Sequence, residues 1–69
     1  MIVTVDLYPT GGGGRTLELE ERATAEDALR SLGYLPDAWI AVRRDRPIPM
    51  DRHLEDGDHL KFISVASGG

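Results

Sequence analysis

The chain has 69 residues, no cysteine and a formal net charge of -4, from twelve acidic and eight basic side chains. This length fits one small domain, and the lack of cysteine excludes disulfides and cysteine-based metal or catalytic sites. The acidic balance argues against direct, non-specific binding of nucleic acids, which needs a basic surface. Because no apolar run approaches the roughly 20 residues that span a bilayer and no signal-peptide pattern is present, we expect a soluble, cytoplasmic, monomeric protein without membrane contact.

The N-terminal part of the chain predicts an antiparallel hairpin. Residues 2–8 and 16–20 both alternate between apolar and polar side chains, which is typical of half-buried strands. Between them, residues 9–14 (PTGGGG) are suited to a turn. The glycine run lacks the Lys-Ser/Thr pair and the helix start of a phosphate-binding loop. The residues predicted to point inward are Val3, Val5, Leu7, Leu17 and Leu19.

Residues 24–33 (TAEDALRSLG) change to a helical period. Thr24 is a natural N-cap, and Gly33 and Pro36 end the helix. The apolar face consists of Ala25, Ala28, Leu29 and Leu32. Because this face is narrow and contains two alanines, we expect the helix to lie close against a sheet.

Three further strand segments follow the helix. Residues 38–42 predict a third strand, with Ile40 and Val42 on one face and Trp39 and Ala41 on the other. Within 43–51, a polar turn leads to a short edge strand around Ile48, since the flanking prolines cannot donate to a ladder. Residues 54–58 (LEDGD) predict a tight turn. In the last strand, 59–65, Leu60 and Phe62 point inward, while Lys61 and Ile63 point outward.

The order of these elements predicts an α+β fold, with one helix packed across one face of a mixed sheet of four to five strands. We expect residues 1–65 to form the domain and residues 66–69 to form a flexible tail that ends in Gly68-Gly69.

No group of residues predicts catalysis or metal binding. The LEDGD segment lacks the spaced ligands and closing glutamate of a calcium loop. Neither His53 nor His59 is paired with a nucleophile. We therefore interpret the protein as a non-enzyme without a metal site or bound cofactor.

The tail is the candidate functional segment. Glycine has no Cβ, so a Gly-Gly end can enter a narrow channel, and an extended chain from Val65 to Gly69 would reach roughly 15 Å beyond the sheet. The alternative interpretation is a frayed end or a remnant of cloning. The two interpretations are balanced until the rest of the sequence is considered.

The C-terminal half resembles the ThiS and MoaD sulfur carriers. In that family Leu-x-Asp-Gly-Asp, a hydrophobic strand and a terminal Gly-Gly occur in this order, and "RDRPIP" resembles the corresponding turn of small archaeal modifier proteins. The matching positions are Leu54, Asp56, Gly57, Asp58, Leu60, Phe62, Ile63, Val65, Gly68 and Gly69. Ser64-Val65 departs from the paired prolines that are frequent in molybdopterin-synthase small subunits.

The resemblance implies a ubiquitin-like β-grasp fold and a reaction at Gly69. A ubiquitin-activating-type enzyme would use ATP to adenylate Gly69. A sulfurtransferase or another sulfur donor would then produce a thiocarboxylate for a tRNA-thiolation enzyme, or a target-protein lysine would form an isopeptide bond. Alternatives are a thiamine sulfur carrier, a molybdopterin-synthase small subunit, and a β-grasp interaction domain that is not conjugated.

A docking patch on the domain would have to support this reaction. We expect Trp39, Ala41 and Ile63 on the sheet face away from the helix, beside Lys61 and close to Val65. The alternative is a Trp–Ile pair that only stabilises the sheet. Lys61 is the only lysine, so chains of the protein could grow only through Lys61 or the α-amine of Met1.

Overall fold

A computed structural model describes residues 1–9 and 14–65 as one mixed sheet with a helix on one face. The elements are β1 (Ile2–Tyr8), β2 (Arg15–Glu18), α1 (Ala25–Ser31), a 3-10 turn (Pro36–Ala38), β3 (Trp39–Arg43), β4 (Arg46–Ile48) and β5 (His59–Ser64). This confirms the predicted order and adds the 3-10 turn. Residues 10–13 of the glycine loop and residues 66–69 of the predicted tail lie outside the described residues.

The sheet has the strand order β2-β1-β5-β3-β4. Its central strand, β5, runs parallel to β1, and the other neighbouring pairs are antiparallel. β4 is an edge strand as predicted, and Pro47 lies on it. The turn between β3 and β4 consists of Arg44 and Asp45, both with positive φ (54° and 63°), as a two-residue hairpin turn with the twist of the strands requires.

The core lies between the sheet and α1. The predicted inward residues of β1 and β5 are buried, and the helix contributes two alanines and Leu29, whose small combined face brings it close to the strands. The core cluster comprises Val3, Val5, Leu7, Ala25, Ala28, Leu29, Ala41, Leu54, Leu60 and Phe62. Leu17 and Leu19 are partly buried against this cluster.

Helix α1 begins with a capping box. The Thr24 hydroxyl accepts a hydrogen bond from the Asp27 N–H (3.2 Å), and the Asp27 carboxylate accepts one from the Thr24 N–H (2.9 Å). Thr24 is thus the N-cap, as predicted, and the reciprocal role of Asp27 is an addition. Gly33, with a φ of 89°, follows the helix end. None of the helices within residues 1–9 and 14–65 is long and apolar enough to cross a membrane.

Candidate functional site

The LEDGD segment holds the start of β5 against β1 through polar contacts. Asp56 Oδ1 accepts a hydrogen bond from the Ile2 N–H (2.7 Å), and the Gly57 N–H donates to the Ile2 carbonyl (2.7 Å). Gly57 adopts a φ of 89°, a conformation that glycine reaches without a steric penalty. The glycine and the first aspartate of the motif therefore have direct structural roles.

Asp58 connects the same turn to β3. Its Oδ2 atom accepts hydrogen bonds from the Glu55 N–H (2.8 Å) and from Arg43 Nη1 (3.1 Å). Both side chains of the Asp58–Arg43 pair are largely buried, with exposures of 10% and 20%. Because Asp56 and Asp58 both bind N–H donors of this chain, their geometry is that of a turn, as the sequence indicated.

The sheet face opposite the helix carries the candidate docking surface, here called the outer face. Strand register places Ile63 between Tyr8 and Ile40, and it places Lys61 between Asp6 and Val42. The outer face consists of these six residues. Its first row is apolar and exposed: Tyr8 is 44%, Ile40 43% and Ile63 36% accessible. Exposed aliphatic and aromatic side chains in one row are typical of a protein-binding surface.

The polar part of the outer face lies one row away. The Lys61 ammonium is 5.1 Å from the centroid of the Tyr8 ring, within cation–π distance. His59 Nε2 lies 2.7 Å from Asp6 Oδ2. Together with Arg44 and Asp45 of the β3–β4 turn, these groups line a shallow depression of about 370 Å³. The depression has charges of both signs around the lysine.

The predicted placement of Trp39 and Ala41 is wrong. Ala41 is 1% exposed and pairs in register with Phe62, so it belongs to the core and cannot reach a partner. Trp39 lies on the same side of β3, packs against the core and has its ring centroid 5.0 Å from that of Tyr34. Residues 39–42 are all apolar, so the pattern defined two faces of the strand without showing which one is buried.

Ile40 takes the place that the prediction gave to Trp39. It pairs directly with Ile63, whose outward position, like that of Lys61, agrees with the sequence pattern. The pattern of β5 contained the signal for this pairing, because an outward Ile63 needs an outward partner on the neighbouring strand. The prediction for β3 had Ile40 on the side opposite Trp39 and gave it no role in docking.

The chain leaves the sheet beside the apolar row of the outer face. Val65 follows β5 directly, is half-buried, and donates a backbone hydrogen bond to the Ala38 carbonyl (2.9 Å). This bond fixes the point from which the following residues depart. Gly68 and Gly69, the predicted functional residues, lie outside the described residues.

A five-stranded mixed sheet with one helix across one face, in this order, defines a ubiquitin-like β-grasp protein. The sequence model of the family described as small archaeal modifier protein 2 matches residues 1–65. The chain belongs to this family.

Solved structures show the same fold. The chain is similar to Caldiarchaeum subterraneum ubiquitin, with a TM-score of 0.76 and 20% identity over 100% of this chain and 98% of that one. It is equally similar to small archaeal modifier protein 1 from Haloferax volcanii, with a TM-score of 0.76 and 20% identity over 100% of both chains. A second ubiquitin-like protein from Caldiarchaeum subterraneum has a TM-score of 0.65 and 19% identity, over 99% of this chain and 100% of that one.

These comparisons confirm the predicted resemblance to small archaeal modifier proteins and the β-grasp fold. Modifier proteins of this family work with activating enzymes and target proteins, and they are generally small proteins without enzymatic activity. The outer face and the exit at Val65 are therefore the parts of this domain to consider for partner binding.

Proposed function

We propose that the protein is a modifier and sulfur carrier that acts through the carboxylate of Gly69. A ubiquitin-activating-type enzyme binds ATP, and the Gly69 carboxylate attacks its α-phosphate, which releases pyrophosphate and forms an acyl-adenylate. A target-protein lysine then displaces AMP and forms an isopeptide bond. In the sulfur branch a persulfide displaces AMP, and a second thiol releases the donor as a disulfide and leaves a Gly69 thiocarboxylate.

The observation that carries the proposal is the exit of the chain at Val65. The backbone bond to Ala38 holds Val65 at the end of β5, one residue beyond Ser64 and beside the apolar row of the outer face. Four residues, 66–69, separate it from the Gly69 carboxylate, and an extended chain of that length spans about 13–14 Å. The domain can remain outside an active site while Gly68 and Gly69, which have no Cβ, enter its channel.

The outer face provides the docking contacts in this proposal. Tyr8, Ile40 and Ile63 replace the predicted Trp39 and Ala41 as the apolar contacts, since they are the exposed apolar side chains of the outer face. Lys61 adds a positive charge one row away, and Val65 borders the tail. Burying such an apolar row against the activating enzyme stabilises the complex.

Protein conjugation and tRNA thiolation are the favoured outcomes for the activated Gly69. The support is the likeness of "RPIP" and "SVASGG" to the modifier and tRNA-thiolation branches, and membership of the modifier family. Thiamine synthesis and molybdopterin synthesis are the alternatives. In either favoured branch the protein is a substrate, binds no cofactor itself, and meets its ATP-dependent activating enzyme in the cytoplasm.

Chains of the protein would grow through Lys61. The α-amine of Met1 donates a hydrogen bond of 2.6 Å to the Leu19 carbonyl, and the Leu19 N–H donates back to the Met1 carbonyl, so this amine is already engaged in the pairing of β1 with the chain after β2. Lys61 lies on the outer face, where its ammonium is 5.1 Å from the centroid of the Tyr8 ring. Of the two amines that the sequence offers, Lys61 carries the one that lies on the outer face and is not engaged with the backbone of a neighbouring segment in the described hydrogen bonds.

ATP–pyrophosphate exchange by the host's ubiquitin-activating-type enzyme tests the proposal. The full-length protein should stimulate exchange, and a variant that lacks Gly68-Gly69 should not stimulate it. A variant that lacks Gly11-Gly12 is a matched control, because it loses the same dipeptide from the β1–β2 loop and should retain exchange.

Two results would contradict the proposal. Undiminished exchange without Gly68-Gly69 would show that another group is activated. Absence of exchange with the full-length protein, when the same enzyme activates another carrier, would favour a β-grasp interaction domain.

A further inference from the structure

The connection between α1 and β3 presents Leu35, the most exposed large hydrophobic side chain in residues 1–9 and 14–65. It is 68% accessible, whereas the other exposed large hydrophobic side chains range from 36% to 44%. Unlike Tyr34 beside it, Leu35 does not pack against the core. Its apolar character therefore contributes little to the fold.

The backbone around Leu35 is held on both sides. On one side, the Tyr34 N–H donates to the Leu29 carbonyl (3.3 Å), and the Tyr34 ring packs on Trp39. On the other side, Pro36 begins the 3-10 turn and favours the extended conformation of the residue before it, which Leu35 adopts with φ −93° and ψ 133°. The exposed Leu35 therefore lies on a segment whose backbone is held in place by the contacts on both sides.

Leu35 lies close to the chain exit. Its carbonyl accepts a hydrogen bond from the Ala38 N–H (3.3 Å), and the Ala38 carbonyl accepts the bond from the Val65 N–H (2.9 Å). Two hydrogen bonds therefore connect Leu35 to Val65. The apolar row of the outer face adjoins the same exit through Ile63, so two separate segments that carry exposed apolar side chains meet at it.

We propose that Leu35 is a second docking contact for the activating enzyme, separate from the outer face. This inference rests on the proposed activation of Gly69. Because residues 66–69 span only about 13–14 Å, the enzyme that receives Gly69 must approach the exit closely and cover the surface around Val65. An apolar rim at the mouth of its channel would bury Leu35 and stabilise the complex without altering the chemical step.

The test is a titration of ATP–pyrophosphate exchange with the full-length protein and three variants. In Leu35→Ser, the protein concentration for half-maximal exchange should rise about tenfold, equivalent to about 1.4 kcal/mol, with an unchanged maximal rate. Leu35→Met keeps an apolar side chain and should behave like the unsubstituted protein. Ile2→Ser should also leave the titration unchanged, because Ile2 is also exposed (44%) but lies at the end of β1 away from Tyr8 and the apolar row.

Thermal unfolding and sedimentation of the same variants separate the possible outcomes. The inference predicts that Leu35→Ser unfolds like the unsubstituted protein and that both are monomers. An unchanged titration for Leu35→Ser would overturn it, while exchange by the unsubstituted protein would still support activation of Gly69. If Leu35→Ser only converted a dimer into a monomer, the occupant of this surface would be a second copy, which also overturns it. Absence of exchange by the unsubstituted protein, when the same enzyme activates another carrier, would instead refute the proposed function itself.

Discussion

The two ends of strand β5 have opposite character. At its start, Asp56 and Asp58 accept hydrogen bonds from β1, β3 and their own turn. Leu54 packs into the core with 4% exposure. At its end, one backbone bond holds Val65, and the neighbouring side chains Ile40 and Ile63 are exposed.

The residues that contribute to stability and those available for binding therefore lie at different ends of one strand. The side chains at the start already have partners within the domain, so their contribution is to the fold. The exposed apolar side chains at the end have little packing to lose and are available for a partner. Substitutions at the start should therefore lower stability, and substitutions at the end should lower binding while the domain stays folded.

The largest contrast is expected from the same substitution at a leucine before the start of β5 and at a leucine on the α1–β3 connection, close to the exit at its end. Leu54→Ala removes a buried side chain and should lower the free energy of unfolding by about 2–5 kcal/mol. Leu35→Ala removes a side chain that is 68% exposed and should change it by less than about 0.5 kcal/mol. Chemical denaturation of both variants measures the difference. Equal losses would contradict the division between the two ends.

A smaller loss of stability is expected from Asp58→Ala. This substitution leaves the Arg43 guanidinium and the Glu55 N–H without their acceptor and should reduce the free energy of unfolding by about 1–3 kcal/mol. Urea denaturation measures it. The double variant Asp58→Ala/Arg43→Ala should lose less than the sum of the single losses, since no charge is left unpaired. Strict additivity would show that the two side chains do not interact.

The smallest effect on stability is expected at the exit end of β5. Ile63→Ser should reduce the free energy of unfolding by about 1 kcal/mol or less. It should also raise the half-saturating concentration in ATP–pyrophosphate exchange about tenfold, because it removes an apolar contact to the activating enzyme. Ile40→Ser should have a similar effect, and the double variant should show coupling because the two residues are paired. Normal exchange by both variants would exclude the outer face from docking.

Most of the fold could be predicted because most of the local sequence patterns indicate one type of element and one buried face. In β1 only the side with Val3, Val5 and Leu7 is uniformly apolar, so the direction of the strand's inner face follows from the sequence. The helical period of the apolar residues begins at Thr24, and Gly33 marks the end of the helix. These signals are local, and they agree with the core that forms.

The candidate site was less predictable because it depends on non-local packing. β3 is apolar on both faces, and its buried face is decided by register with β5, where Ala41 meets Phe62. The larger Trp39 suggested an exposed anchor, but it packs against Tyr34 instead. Leu35 was missed because its importance arises from hydrogen bonds that bring the 3-10 turn next to Val65. No pattern along the chain reports that proximity.

The measurement that tests the central claim most directly is mass spectrometry of the C-terminal peptide, taken from the protein isolated from its own host. Activation of Gly69 predicts a peptide in which one carboxylate oxygen is replaced by sulfur, or a Gly69 carbonyl joined to the ε-amine of a lysine in another protein. Only a free, unmodified Gly69 carboxylate, in cells whose activating enzyme modifies another carrier, would contradict the account.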